Sequence, residues 1–300
     1  MQSTPARLKK SALGLSSISQ VQGRLSCEGP GGEQSRHERM LELMYGTLMK
    51  RDRITMSLAR HLLLVILLCV KPVAASELVM AISNGSGMPM TDIRGEELRG
   101  GILKEFGDAL SAQLHLEPRY LILPRTRVEG ALLRGHADVL CDLRPEWLDN
   151  QTFLWSDAII SNRMIVAMRR ETPVPASLDA IAGVRVGTIR GYRYPEVEHL
   201  QPKVERDNAA NDSQNLEKLL LGRFDFIFTN RIYFDYQRKA HPERARLASN
   251  HLKITDFDTY CAVPAQGRIG IKDLNHAIDA LKARGIIQSI LARYRPQDQS

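Results

Sequence analysis

The chain has 300 residues, 25% of them charged, with 41 Lys and Arg against 34 Asp and Glu. That length permits one large domain or two ordinary ones. The basic excess is uneven: residues 1–75 hold 11 basic and 5 acidic side chains, leaving 30 against 29 for residues 76–300. A nucleic-acid partner needs a basic patch on the folded domain, and nothing in this balance calls for one.

Residues 1–55 are rich in Ser, Gly, Arg and Gln, lack sustained hydrophobic periodicity, and read as a disordered extension. The alternative is that translation starts at Met56 and this stretch lies upstream of the true start. Met56 to His61 is a short basic lead, Leu62 to Val70 an apolar run, and Val73-Ala74-Ala75 supplies the small residues of a cleavage site. This layout predicts a secretory signal peptide at 56–75, cut near Ala75, and a periplasmic mature protein. The apolar run is too short to span a bilayer, which takes about 20 residues.

Glu77 to Ser83 reads as a strand that breaks at Asn84-Gly85-Ser86-Gly87. Gly100 to Leu114 carries Ile102, Leu103, Phe106, Leu110 and Leu114 at helical spacing. Tyr120 to Leu123 is a second strand stopped by Pro124, and Arg125 to Arg134 a second helix. Ala137 to Leu140 is a third strand, which delivers Asp142 and Arg144 at its C-terminal edge. After Trp155 comes a long β-rich run, Ala158 to Met168.

The rhythm then repeats. A short helix begins at Ser177, a residue type suited to an N-cap. Val184 to Ile189 is a strand, Glu196 to Leu200 a helical stretch, and Lys203 to Arg206 a strand. Asn211 to Leu221 is a helix, Phe224 to Phe228 a buried strand, and Arg231 to Lys239 a helix. Asp258 to Val263 returns as a strand before two closing helices, Ile271 to Lys282 and Ile286 to Tyr294. Strands alternating with helices predict parallel sheets, whose ligands bind at the strand ends.

Cys141 and Cys261 are the two cysteines beyond the leader, out of four in the chain. In an exported protein they are candidates for a disulfide. Two buried free thiols are the alternative, because the sequence does not say whether their strands are neighbours.

The sequence resembles the bacterial extracellular solute-binding proteins of the polar amino-acid type (family 3). The resemblance rests on Gly100-Gly101-Ile102 through Phe106, Leu132 to Asp138, Trp155-Ser156-Asp157, Leu178 to Gly187, and the pattern from Ile271 to Tyr294. Their order along the chain carries the resemblance; no single piece does. It implies an α/β, two-lobed periplasmic-binding-protein fold (type II), each lobe a mostly parallel sheet flanked by helices, with two crossings between lobes. Lobe one would be 76–168 plus 258–300 and lobe two 169–257, closing on a hinge. It also implies a monomer that hands a solute to the membrane permease of an ABC importer on separate chains.

Amino-acid-binding members place an arginine after the third strand and an aspartate after a lobe-two strand. This chain has neither at the matching positions; Asn230 stands where the aspartate is expected. An amide lacks the charge that neutralises an ammonium. Arg125, Arg127, Arg144 and Arg190 are the candidate replacements, since guanidinium forks suit carboxylate or phosphate oxygens. With the backbone of Gly191, and with Trp147, Trp155 or Tyr192 as an apolar wall, they predict a site for a small polar or acidic solute. Asn84 and Met88 on the first loop, Asp142 and Asn230 complete the candidate set.

No phosphate loop, dinucleotide loop, nucleophile elbow or clustered His and Cys pattern is present. No cofactor, metal or catalytic group is therefore expected. Two alternatives stand beside a binding protein: a ligand sensor for a membrane receptor, and a periplasmic enzyme like cyclohexadienyl dehydratase. In the enzyme, Asp142 or Glu146 would be the general acid. Arg144 is expected to hold Asp142 ionised, which counts against that role.

Overall fold

A computed structural model describes residues 76–150, 152–241, 247 and 250–295. The extension expected at 1–55 and the signal peptide expected at 56–75 lie outside the described residues. The first elements are β1 (Glu77–Ser83), β2 (Asp92–Arg94), β3 (Glu97–Gly100), α1 (Ile102–Gln113), β4 (Glu117–Leu123) and α2 (Arg125–Leu133). Then come β5 (Val139–Leu143), β6 (Phe153–Trp155), β7 (Ile160–Met168), β8 (Arg185–Ile189), β9 (Glu205–Ala209) and α3 (Asp212–Leu220). β10 (Phe226–Asn230), α4 (Arg231–Ala240), β11 (Leu252–Pro264), α5 (Ile271–Ala283) and α6 (Ile286–Tyr294) complete the order.

Two lobes form around two sheets. In the first, β1 lies between β4 and β5, parallel to both, and the C-terminal half of β11 runs antiparallel to β5 and β6. In the second, β10 is antiparallel to β7 and parallel to β8, and β8 is parallel to β9. The N-terminal half of β11 pairs with β7, so β11 belongs to both sheets. β2 and β3 make a separate hairpin.

Strand alternation divides each core into two layers. Leu78, Met80 and Ile82 of β1 pack under α1, α5 and α6, against Phe106, Leu110 and Ile278. Val79 and Ala81 face the other way, onto Val128 and Leu132 of α2. In the second lobe, Ile165 and Ala167 meet Leu216, Leu219 and Phe234 of α3 and α4. Met164, Val166 and Phe228 meet Ile181, Tyr194 and Val197 on the opposite face.

Three readings of the sequence change in the structure. The helical stretches expected at Ser177 and at Glu196–Leu200 are single 3-10 turns, Leu178–Ile181 and Pro195–Val197. Ser177 makes no side-chain cap bond; Asn211 does cap α3, accepting from the Gln214 amide at 2.9 Å. β11 begins six residues earlier than its apolar core suggests, because Lys253, Asp256 and Asp258 point to solvent and interrupt the hydrophobic run.

Cys141 and Cys261 face each other across β5 and β11 and are joined by a disulfide. The bridge ties the chain's third strand to its last across 120 residues. In the chain-entropy view, closing a loop of that length stabilises the fold by about 4–5 kcal/mol. Reduction of the protein, or Cys141→Ser, should therefore lower the calorimetric melting temperature by on the order of 10 °C. An unchanged transition after verified reduction would contradict that contribution.

Candidate functional site

The strand ends of the two lobes enclose a cavity of about 80 Å³. Ser86, Met90, Arg125, Asp142 and Trp147 line it from the first lobe; Tyr192, Arg193, Asp212, Thr229 and Asn230 line it from the second. Asn162, Met164 and Phe257 of the joining strands close its base.

A β-bulge delivers Asp142. Cys141 pairs with Cys261 and Leu143 with Tyr260, so Asp142 is an extra residue between two ladder positions. It takes φ +61°, a left-handed conformation that aspartate tolerates better than most residues. Bulges re-aim side chains beside functional sites. Here Leu140 and Leu143 both stay in the layer under α2, and the carboxylate turns into the cavity instead. Burial raises its pKa to about 6, opposed by a hydrogen bond from Thr259.

Asp212 opens α3 directly after the Asn211 cap. Its amide donates to Gly85 O at 2.9 Å, and its carboxylate accepts from the Gly87 amide at 3.3 Å. Burial pushes this carboxyl up to about 7, and the negative charge of Asp142 pushes the same way. Neither carboxylate meets an arginine or lysine at ion-pair distance among the described residues.

The arginines expected to gather here do not gather. Arg125 reaches the cavity, but its Nη2 donates to Trp147 O at 2.7 Å and desolvation lowers its pKa. Arg127 lies on the outer face of α2, and Arg190 points to solvent. Arg144 crosses between lobes to Glu196, also meets Glu146 at 3.4 Å, and lies beside the rings of Trp147 and Phe257, which meet each other edge to face. It therefore leaves Asp142 without a cationic neighbour, the reverse of the sequence expectation.

Other expected residues divide similarly. Trp147 and Tyr192 line the cavity, and the Tyr192 hydroxyl lies 3.1 Å from Ser86 Oγ across the lobes. Burial raises the Tyr192 pKa, reinforced by Asp212. Gly191 takes φ +79° against the start of α2, where a Cβ would sit 2.9 Å from Thr126 Cγ2. Asn230 spends its carbonyl oxygen on capping α4, accepting from the Tyr233 amide at 2.9 Å, and on the Asn162 amide at 3.0 Å. Trp155 pairs in β6 against Ala262, beside the core layer under α2. Asn84 is exposed, and Met88 gives its carbonyl to Gln237 Nε2 at 2.7 Å. Met90 lines the cavity in its place, held by Gly101 at φ +100°, where a Cβ would lie 2.6 Å from Met90 O.

Two polar atoms at the wall, Trp147 Nε1 and Thr229 Oγ1, are buried without a hydrogen-bond partner among the described residues. The site thus presents two carboxylates without cationic partners, one indole donor and one hydroxyl. Asp212, Thr229 and Phe257 escaped the sequence reading. In the sequence Asp212 is one more polar residue at a helix start, and Phe257 lies in the half of β11 hidden by charged neighbours.

No protein-family model matches the chain, and no curated protein sequence matches it. Solved structures do match in fold. The GluR0 ligand binding core in complex with L-glutamate aligns with a TM-score of 0.63 at 13% identity, covering 74% of this chain and 99% of that one. An ancestral amino acid-binding protein, a precursor of cyclohexadienyl dehydratase, aligns at 0.62 and 14%, covering 73% and 95%. The substrate binding protein of an amino acid ABC transporter aligns at 0.58 and 16%, covering 74% and 100%. The chain has the two-lobed type II periplasmic-binding-protein fold.

The two raised carboxyls couple stability to pH. Both bind a proton more tightly folded than unfolded, where the ordinary value is 3.8. Their stabilisation is complete below the unfolded value and is lost as pH rises through the folded ones. The melting temperature should fall between about pH 4 and about pH 7.5, and Asp212→Asn should remove much of that fall in scanning calorimetry. A wild-type curve that rises over this range would contradict the assignment.

Proposed function

We propose that this chain is an exported, monomeric solute-binding protein. It captures a small polar, amino-acid-like solute between its lobes and delivers it to the membrane permease of an ABC importer on separate chains. The observation that carries this reading is the pair of carboxylates, half-buried Asp142 and buried Asp212, contributed by different lobes to one cavity without cationic partners. An ammonium group between them would satisfy both charges. Trp147 Nε1 and the remaining donors of Arg125 would receive an acceptor on the same solute. Of the polar or acidic solutes expected from the sequence, one bearing an amine fits best, since Arg127, Arg144 and Arg190 do not line the cavity.

The lobe limits expected from the sequence, 76–168 with 258–300 and 169–257, belong to this proposal. So does hinge closure, in which the solute favours the arrangement where the lobes touch. Periplasmic location after cleavage near Ala75 is supported by the disulfide, which suits an oxidising compartment. No helix among the described residues is long and apolar enough to cross a membrane.

A thermal-shift screen of amino acids, simple amines and dicarboxylates tests the reading, because a ligand of the native state raises its melting temperature. Amine-bearing solutes should do so, and Asp212→Asn should weaken their binding about thirty-fold or more in calorimetric titration. Stabilisation by dicarboxylates alone, or an Asn variant that binds as well as wild type, would overturn it.

A second reading, an enzyme on this scaffold, is favoured by one observation: the Asp142 carboxyl is raised to about 6 inside the cavity, in the range of a general acid. Glu146 is a poor candidate, being exposed and paired with Arg144. Under this reading the purified protein eliminates water from cyclohexadienyl acids, and Asp142→Asn abolishes that turnover. Absence of turnover in the parent protein ends it.

A further inference from the structure

A second concavity, of about 630 Å³, lies on the first lobe away from the cleft, between β4 and α2. It arises from how the lobe is covered. α2 packs over β1, β5 and β11, while β4 is the terminal strand of the sheet order. Tyr120 and Ile122 of β4 are covered by the layer under α1, but alternation turns Arg119, Leu121 and Leu123 to the other side, where the two leucines pack at the margin of the layer under α2 and stay only half-buried. The facing side of α2 supplies Arg127, Ala131 and Arg134, at i, i+4 and i+7 on one helical face. The small Ala131 between the two arginines keeps the trough open, and Val79 contributes to its floor.

The charge around this trough is one-sided. Arg119 is paired with Glu77 at 2.7 Å and Arg268 with Asp138 at 2.6 Å. Arg127 and Arg134 meet no carboxylate among the described residues, and His136 stands beside them. None of these residues lines the cavity between the lobes.

We infer that this groove docks an extended, acidic segment of a protein partner. An extended chain presents alternate side chains to opposite sides, so apolar residues reach Leu121 and Leu123 while carboxylates meet the guanidinium forks of Arg127 and Arg134. A lipid surface fits less well, because the arginines flank a concave apolar trough instead of standing on a convex face.

Fluorescence anisotropy of a short labelled peptide of alternating Glu and Leu, titrated with the full chain, tests the inference. Binding should saturate, weaken as salt is raised, and fall about tenfold in the double variant Arg127→Gln, Arg134→Gln. The same peptide with Gln in place of Glu should bind at least as weakly as that variant binds the acidic one. Both substitutions are at exposed positions, so the melting temperature should hold; Arg134→Gln alone, with an intermediate loss, serves if it does not. No saturable binding, or equal binding by the double variant, overturns the inference. Tighter binding to vesicles of phosphatidylglycerol and phosphatidylcholine than to the peptide also overturns it, in favour of a membrane surface.

Discussion

Two carboxylates facing one cavity, Asp212 buried and Asp142 half-buried, set the character of this molecule. A buried charge without a partner is costly, so it either takes up a proton or acquires a counter-charge. The charge of Asp142 makes Asp212 harder to ionise. Under the proposed function the cost falls on the closed arrangement of the lobes and not on either lobe alone. A cationic group arriving between them would remove it. In that proposal, capture and closure are one electrostatic event.

The rest of the architecture holds this pair in place. The bulge opposite Tyr260 and Cys261 frees Asp142 from strand alternation, and the disulfide beside it pins the same ladder. Asp212 is fixed by its position at the start of α3 and by the amide of Gly87. Ion pairs between the lobes, Arg144 with Glu196 and Arg193 with Asp149, lie beside the cavity wall. β7 and β11 run through the joint and carry Asn162 and Phe257 to the cavity.

The alternating β and α rhythm was readable from apolar spacing, and β1, α2, α4, α5 and α6 fall within a residue or two of their expected limits. The short elements were not: β2, β3 and β6 have three or four residues each, too few for any period to register. The site was half legible. Strand ends pointed to Asp142, Tyr192 and Asn230, but a bulge leaves no mark in composition, and whether an arginine faces a cavity or a glutamate depends on tertiary neighbours. Arg144 shows this most clearly, since only the packed structure places Glu196 within its reach.

Small-angle scattering of the solute-free protein across pH tests the central claim most directly. Asp212→Asn is the control that assigns a change with pH to the carboxylate pair. The radius of gyration should increase with pH as Asp142 and Asp212 ionise and the lobes part, and Asp212→Asn should abolish the increase. A wild-type radius that is constant across pH, or that shrinks, would contradict the account.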